Sequence, residues 1–257
     1  MKKEGKDKEP NSEVILQSKY TFNISQKRIL DAKVRQLTIK NPTRPSAREL
    51  SEMSVSAFSR QLTYFEWTLF KKIELKEVNY WLKGDKELRH KYAPNLLAVT
   101  NFFNRMSQWV ATEIVTCGNV KRRQSLVKKF INIASDCFNL KNFGGMMEII
   151  MGLKHAAVDR LKRTWKIPQK YQTIFQAMVE LASPKDNWHY WRKLIKEETG
   201  PYVPYIGLYL SDLTFIKDGG GDSIEVPPQF GYYHGWVKMV RMADILMSIL
   251  QLQGKKL

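Results

Sequence analysis

Apolar residues recur at spacings of three and four from residue 54 onward, and this pattern restricts the fold more than any other feature. Phe58, Leu62, Phe65, Leu69 and Ile73 make one stripe. Val99, Phe103, Met106, Val110 and Ile114 make a second, and Leu126, Phe130, Ile133, Cys137 and Leu140 a third. Met146, Ile150 and Leu153 form a shorter one, and Trp236, Val240, Ala243, Met247 and Leu250 the last. Such spacing gathers side chains on one face of an α-helix and makes that face the buried one. A half-buried strand needs alternation with a period of two, and no useful length shows it. Helix breakers fall between the stripes: Pro94, Gly118-Asn119, Gly144-Gly145, Pro168, Pro184, Pro201 and Pro204, then Gly219-Gly220-Gly221 and Pro227-Pro228. The expected fold is all-α, one large domain of about ten helices.

The first fifty residues read differently. They carry twelve Lys and Arg against six Asp and Glu, and they end in NPTRPSAREL. Residues 1–50 are expected to be a basic N-terminal arm. Its first eleven residues should be disordered, and residues 14–39 a short helix packed on the body. The globular domain is expected over 51–257. Two cysteines, Cys117 and Cys137, cannot build a disulfide framework and suit a reducing, cytoplasmic setting. No apolar run approaches the roughly 18–20 residues of a membrane span.

Signatures of bond-making chemistry are missing. There is no GxxxxGK[ST], GxGxxG, HExxH, CxxC or GxSxG. His90, His155, His189 and His234 lack any ligand spacing, so no metal and no cofactor are expected. A binding or regulatory module is the leading class.

Forty-two Lys and Arg against 25 Asp and Glu give a net charge of +17. Lys121, Arg122, Arg123, Lys128 and Lys129 form one cluster, and residues 154–170 add six cations against one Asp. Such clusters suit phosphates or an anionic membrane, and they equally suit the wet faces of helices. No recognition helix, zinc finger or RNA-binding signature accompanies them, so sequence-specific nucleic-acid reading is not expected.

Five blocks carry a resemblance. They are RQLTYFEWTLF at 60–70, NFFNRMSQWVATEI at 101–114, LVKKFINIASDCFNLKNF at 126–143, IMGLKHAAVDRLKRTW at 150–165 and VPYIGLYLSDLTFIKDG at 203–219. In this order and spacing they resemble the RasGEF catalytic domain of guanine-nucleotide exchange factors for Ras-family GTPases, over residues 54–253. The resemblance implies an all-helical bowl with a protruding helical hairpin, whose first arm is near residues 207–217. It implies exchange without covalent chemistry, on a Ras- or Rap-type small GTPase. The hairpin should place a small or apolar group, Thr214, near the magnesium site and a carboxylate, Asp218, near the phosphate loop. A carboxylate there competes with the phosphate for the same donors. Asp218 beside Gly219 also reads as an ordinary helix-ending turn residue. Trp81, Asn104, Asn187 and Trp188 match positions facing the GTPase, and Tyr205 an aromatic supporting the hairpin base. Trp109 and Trp165 are expected in the core, and Arg60, Glu66 and Arg160 in buried or half-buried pairs.

The chain also departs from the family pattern. Lys154, in GLKHAA, stands where the family has a GTPase-facing Asn. The hairpin reads KDGGGD: Lys217 reverses a charge, Asp218 is shorter than Glu, and Gly220 lacks an amide. Three glycines in a row loosen a tip. About fifty residues before the body leave no room for the upstream stabilising domain usual in such exchangers. Two alternatives follow: a weak pseudo-exchanger that only binds a small GTPase, and a basic helical module for anionic membrane or nucleic acid.

Overall fold

Ser54 caps the first helix, its hydroxyl accepting from the Ala57 amide at 3.4 Å. The computed structural model describes residues 53–219 and 236–256. The expected N-terminal arm, Gly220 and the remainder of the glycine tip lie outside these residues. Among the described residues eleven α-helices follow one another: α1 (Val55–Phe70), α2 (Leu75–Leu82), α3 (Lys86–Tyr92), α4 (Pro94–Val115), α5 (Val120–Asn139), α6 (Phe143–Leu153), α7 (Ala156–Asp159), α8 (Gln169–Leu181), α9 (His189–Glu197), α10 (Ile206–Asp218) and α11 (Trp236–Gly254). A 3₁₀ turn, Lys185–Asn187, precedes α9. Among the described residues no strand forms, and the one bridge joins Asn142 to Val203. The fold is all-α.

α6 is the centre. Its sequence, FGGMMEIIMGL, is apolar all round, and every residue except Met151 is buried. α1, α4 and α5 pack round it. Glycine allows the closest approach: a Cβ on Gly152 would stand 2.6 Å from the Ser107 carbonyl oxygen and 2.6 Å from Val110 Cβ on α4. The first four expected stripes face this core, with Leu62, Ile73, Val110, Ile114, Phe130, Ile133, Cys137, Met146 and Ile150 buried.

Several expectations need correction. On α11, Val240, Met247 and Leu250 are exposed. Ile249 and Leu252 are buried instead, with Met242, Ile245 and Leu246 packed against the core. The helix is apolar on most of its circumference, so spacing alone supports two stripes, and packing against α10 selects the other one. Trp109 and Trp165 are half-buried at the core's edge. Arg60 and Arg160 are exposed, because each leaves its helix away from the buried face; only Glu66 is buried.

The chain entering α10 is stapled to the core. Val203 donates to the Lys141 carbonyl at 3.0 Å, and Val203 oxygen accepts from the amides of Phe143 and Gly144 at 3.0 and 3.2 Å. α11 is fixed at its C-terminal end. Gln253 Nε2 donates to the carbonyls of Phe70 and Ile73 at 2.8 and 2.9 Å, and Lys255 Nζ to those of Thr199 and Gly200 at 2.8 and 3.2 Å. The two helices therefore form a hairpin rooted where α10 begins and α11 ends. Burial thins away from the root: Leu208, Leu210 and Leu213 are buried, whereas Phe215 and Met239 are 79 % and 57 % exposed.

Candidate functional site

Three elements enclose one groove of about 880 Å³: the end of α2, the first half of α4, and α10. Trp81 forms its α2 wall. Arg89 fixes that ring from α3, with its guanidinium 4.4 Å over the indole and Nε donating to the Trp81 carbonyl at 3.1 Å. The arginine thus caps a helix C-terminus and makes a cation–π contact at once. Asn104 projects from α4 at the opposite wall and is exposed.

Tyr205 precedes α10 at the groove floor. Its ring packs on Phe103 at 5.3 Å, Trp188 at 6.0 Å and Trp191 at 6.2 Å. Burial pushes its phenol pKa up. Gly207 lets the ring fold back on the helix, since a Cβ there would stand 2.6 Å from the Tyr205 ring.

α10 supplies Thr214 and Asp218. The Thr214 hydroxyl donates to the Leu210 carbonyl at 2.8 Å, so the methyl is its unengaged group. Asp218 is the last residue of α10 and is exposed. Five of the expected site residues, Trp81, Asn104, Tyr205, Thr214 and Asp218, therefore line one groove.

The others lie around it. Lys217 turns from the groove to α2, where Nζ donates to the Leu82 carbonyl at 2.6 Å. Trp188 backs the Tyr205 ring. Asn187 is exposed beyond it, and Lys154 caps the end of α6 outside the groove lining. Gly220 lies outside the described residues.

Asp186, Asn187 and Trp188 all take left-handed backbone, with φ of 49°, 54° and 59°. Such angles are costly for residues other than glycine, and three in succession need an external hold. Arg192 supplies it. Its Nε and Nη2 donate to the Asn187 carbonyl at 2.7 Å and to Asn187 Oδ1 at 3.2 Å. The same guanidinium grips Asp212 on α10 with two bonds, at 2.8 and 2.6 Å. One arginine therefore ties the strained turn to the hairpin.

Sequence reasoning missed Arg192, Asp212 and Phe215. Phe215 was legible in principle: Ile206, Leu210 and Leu213 set the buried side of α10, and Phe215 falls off it.

Two carboxyls lie behind the groove. Glu66 of α1 and Glu148 of α6 are buried side by side, and both line a cavity of about 30 Å³ that also touches Phe103 and Tyr205. Asn142 Nδ2 donates to Glu66 Oε2 at 2.5 Å. Burial pushes Glu66 up to about 7. Burial, then the neighbouring Glu66, hold Glu148 well above the usual carboxylate range.

A model of the RasGEF domain matches residues 57–236. Ras guanine nucleotide exchange factor M of Dictyostelium discoideum is 34 % identical over 79 % of this chain and 21 % of its own length. Ras guanine nucleotide exchange factor P of the same organism is 41 % identical over 68 % of this chain and 12 % of itself. Human Rap guanine nucleotide exchange factor 5 is 34 % identical over 70 % and 31 %. The match thus spans under a third of each relative. On the family match and these identities, the chain belongs to the RasGEF domain family.

Proposed function

We propose that this chain promotes GDP release from a Ras- or Rap-type small GTPase by inserting the α10–α11 hairpin at the nucleotide site. The observation that carries this reading is the shared groove: Trp81, Asn104, Tyr205, Thr214 and Asp218 stand together at the hairpin's flank. The names of the relatives, Ras and Rap exchange factors, favour the same partner class. In this mechanism no covalent bond changes. The exchanger binds the nucleotide-free GTPase best, so it drives the equilibrium away from bound GDP. Asp218 competes with phosphate for donors at the phosphate loop, and the Thr214 methyl crowds the magnesium site. Trp81 and Asn104 hold one switch segment against the groove. Asn187, Trp188 and Lys154 flank it, Lys217 tethers the hairpin to α2, and Gly220 belongs to the tip. Residues 51–257 are taken as the exchange domain and 1–50 as a basic arm. Two free buried thiols, Cys117 and Cys137, suit a cytoplasmic setting.

The test is release of a fluorescent GDP analogue from Ras-, Rap- and Ral-type GTPases. Wild-type chain should accelerate release, and Asp218→Ala or Trp81→Ala should each cut the rate by about ten-fold or more. A wild type that captures nucleotide-free GTPase yet releases nothing is a pseudo-exchanger, and the KDGGGD tip is then the place to repair. A chain that neither captures nor releases overturns the reading.

A further inference from the structure

Residues 119–131 and 154–171 contain eleven Lys and Arg and a single acid, Asp159. The fold turns these two stretches into one surface. Gln124 of α5 donates to the carbonyls of Arg163 and Lys166, both at 3.0 Å. Arg123 Nε donates to Thr164 Oγ1 at 3.0 Å, while its Nη1 donates to the Cys117 carbonyl, in the loop after α4, at 2.7 Å. Tyr171 of α8 lies between Lys128 and Lys170, with their ammonium groups 6.0 and 5.0 Å from its ring centre. Arg123 is thereby committed to architecture. Lys121 and Arg122 of α5, Lys162, Arg163 and Lys166 of the connecting loop, and Lys170 of α8 remain exposed. None of these six is in an ion pair among the described residues.

We propose that this surface docks the domain on an anionic lipid bilayer. Four of the six cations are lysines, compact charges on flexible stems that suit a diffuse field better than a forked ligand. The surface offers no exposed indole or phenol for stacking bases: Tyr171 is half-buried and its ring is already faced by two lysines. Trp165 is half-buried, stacked on Phe175 at 5.0 Å, and its indole N–H is spent on the Val158 carbonyl at 3.1 Å. A nucleic acid would find charge there but no platform. The placement also leaves the groove open. Asn104 and Val115, at the end of α4 nearest this surface, are eleven residues apart along the helix, about 16 Å at 1.5 Å per helical residue. That exceeds the Debye length of about 8 Å at physiological salt, so lipid on one end leaves the field at the other nearly unchanged. The proposal is independent of exchange activity and is tested without a GTPase.

The experiment is co-sedimentation of the full chain with vesicles of phosphatidylcholine alone and of phosphatidylcholine with 30 % phosphatidylserine, at low and at high salt. The chain should pellet with the serine-containing vesicles only, and release as salt rises. Each exposed cation near an anionic surface is worth roughly a factor of five in partitioning. Lys121→Gln/Arg122→Gln and Lys162→Gln/Lys166→Gln should therefore each lower partitioning by about 25-fold. Lys72→Gln/Lys76→Gln, the same charge change far from the surface, should lower it far less. Equal loss in the patch and control variants would overturn the proposal, since net charge alone would then account for it. Failure of wild type to bind the anionic vesicles would also overturn it, as would binding to a DNA duplex without binding to the vesicles.

Discussion

Glu148 puts a carboxyl beside another carboxyl, with the buried Cys137 thiol near both. The pair is buried, and Oε1 of Glu66 and Oε2 of Glu148 have no hydrogen-bond partner. Below the ordinary value near 4.5, native and unfolded chains are both protonated and no linkage arises. Above it, the unfolded chain releases protons that native Glu66 retains to about pH 7, and burial beside Glu66 keeps Glu148 protonated well above the usual carboxylate range as well. The native state then binds more protons, so stability falls as pH rises through neutrality. Glu148→Gln keeps the volume and introduces an amide donor toward the Glu66 carboxylate. It should raise stability at pH 8 by about 1–2 kcal/mol and change little at pH 5, measured by urea unfolding. An equal effect at both pH values would show that the pair does not titrate. Sequence reading placed Glu66 in a buried pair but could not name its partner. Glu66 and Glu148 are 82 positions apart, and only the packing of α1 on α6 joins them.

Among elements, the hairpin and the turn before α9 act as one unit because Arg192 holds both. Arg192→Ala removes two bonds to Asp212 and two to Asn187. It leaves three left-handed residues without their hold. The expected cost is about 1–2 kcal/mol of stability, since the ion pair is partly exposed. A larger effect should appear in function: affinity for nucleotide-free GTPase should drop at least several-fold, read by titration. Asp212→Asn, which keeps one acceptor, should do less. If Arg192→Ala leaves affinity untouched, the turn does not position the hairpin. The helices themselves were legible because their apolar stripes are long and single-faced. α11 was misread because its apolar residues surround it and nothing in the sequence says which side meets α10. The left-handed turn left no clear sequence signal, since Asp186 and Asn187 are common loop residues and Trp188 is not a residue that favours this backbone.

At the scale of the whole molecule, the proposed exchange uses a hairpin held at its root, with one further tie from Lys217 to α2. Its anchors are Lys217, Gln253 and Lys255, together with the Val203 staple. Removing two root anchors, Gln253→Ala with Lys255→Ala, should lower amide-exchange protection over α10 and α11 while leaving α6 protected. Equal loss in α6 would mean that the hairpin and core unfold together. The all-α architecture and the groove's main residues were visible in the sequence because both depend on local pattern or a matched block. The basic surface was visible only as two runs, and Gln124 and Arg123 are what make them neighbours.

Three of the hairpin's fastenings have a common form. Lys217 holds Leu82, Gln253 holds Phe70 and Ile73, and Lys255 holds Thr199 and Gly200, each through a main-chain carbonyl. A carbonyl oxygen is the same whichever side chain accompanies it. The information for the joint is therefore carried by the donor alone. Substitutions at the gripped positions can accumulate without unfastening the hairpin, provided the backbone keeps its course, whereas three donor side chains cannot be exchanged so freely. Tolerance to mutation should thus be lopsided across each joint, generous on the wall and strict on the peg.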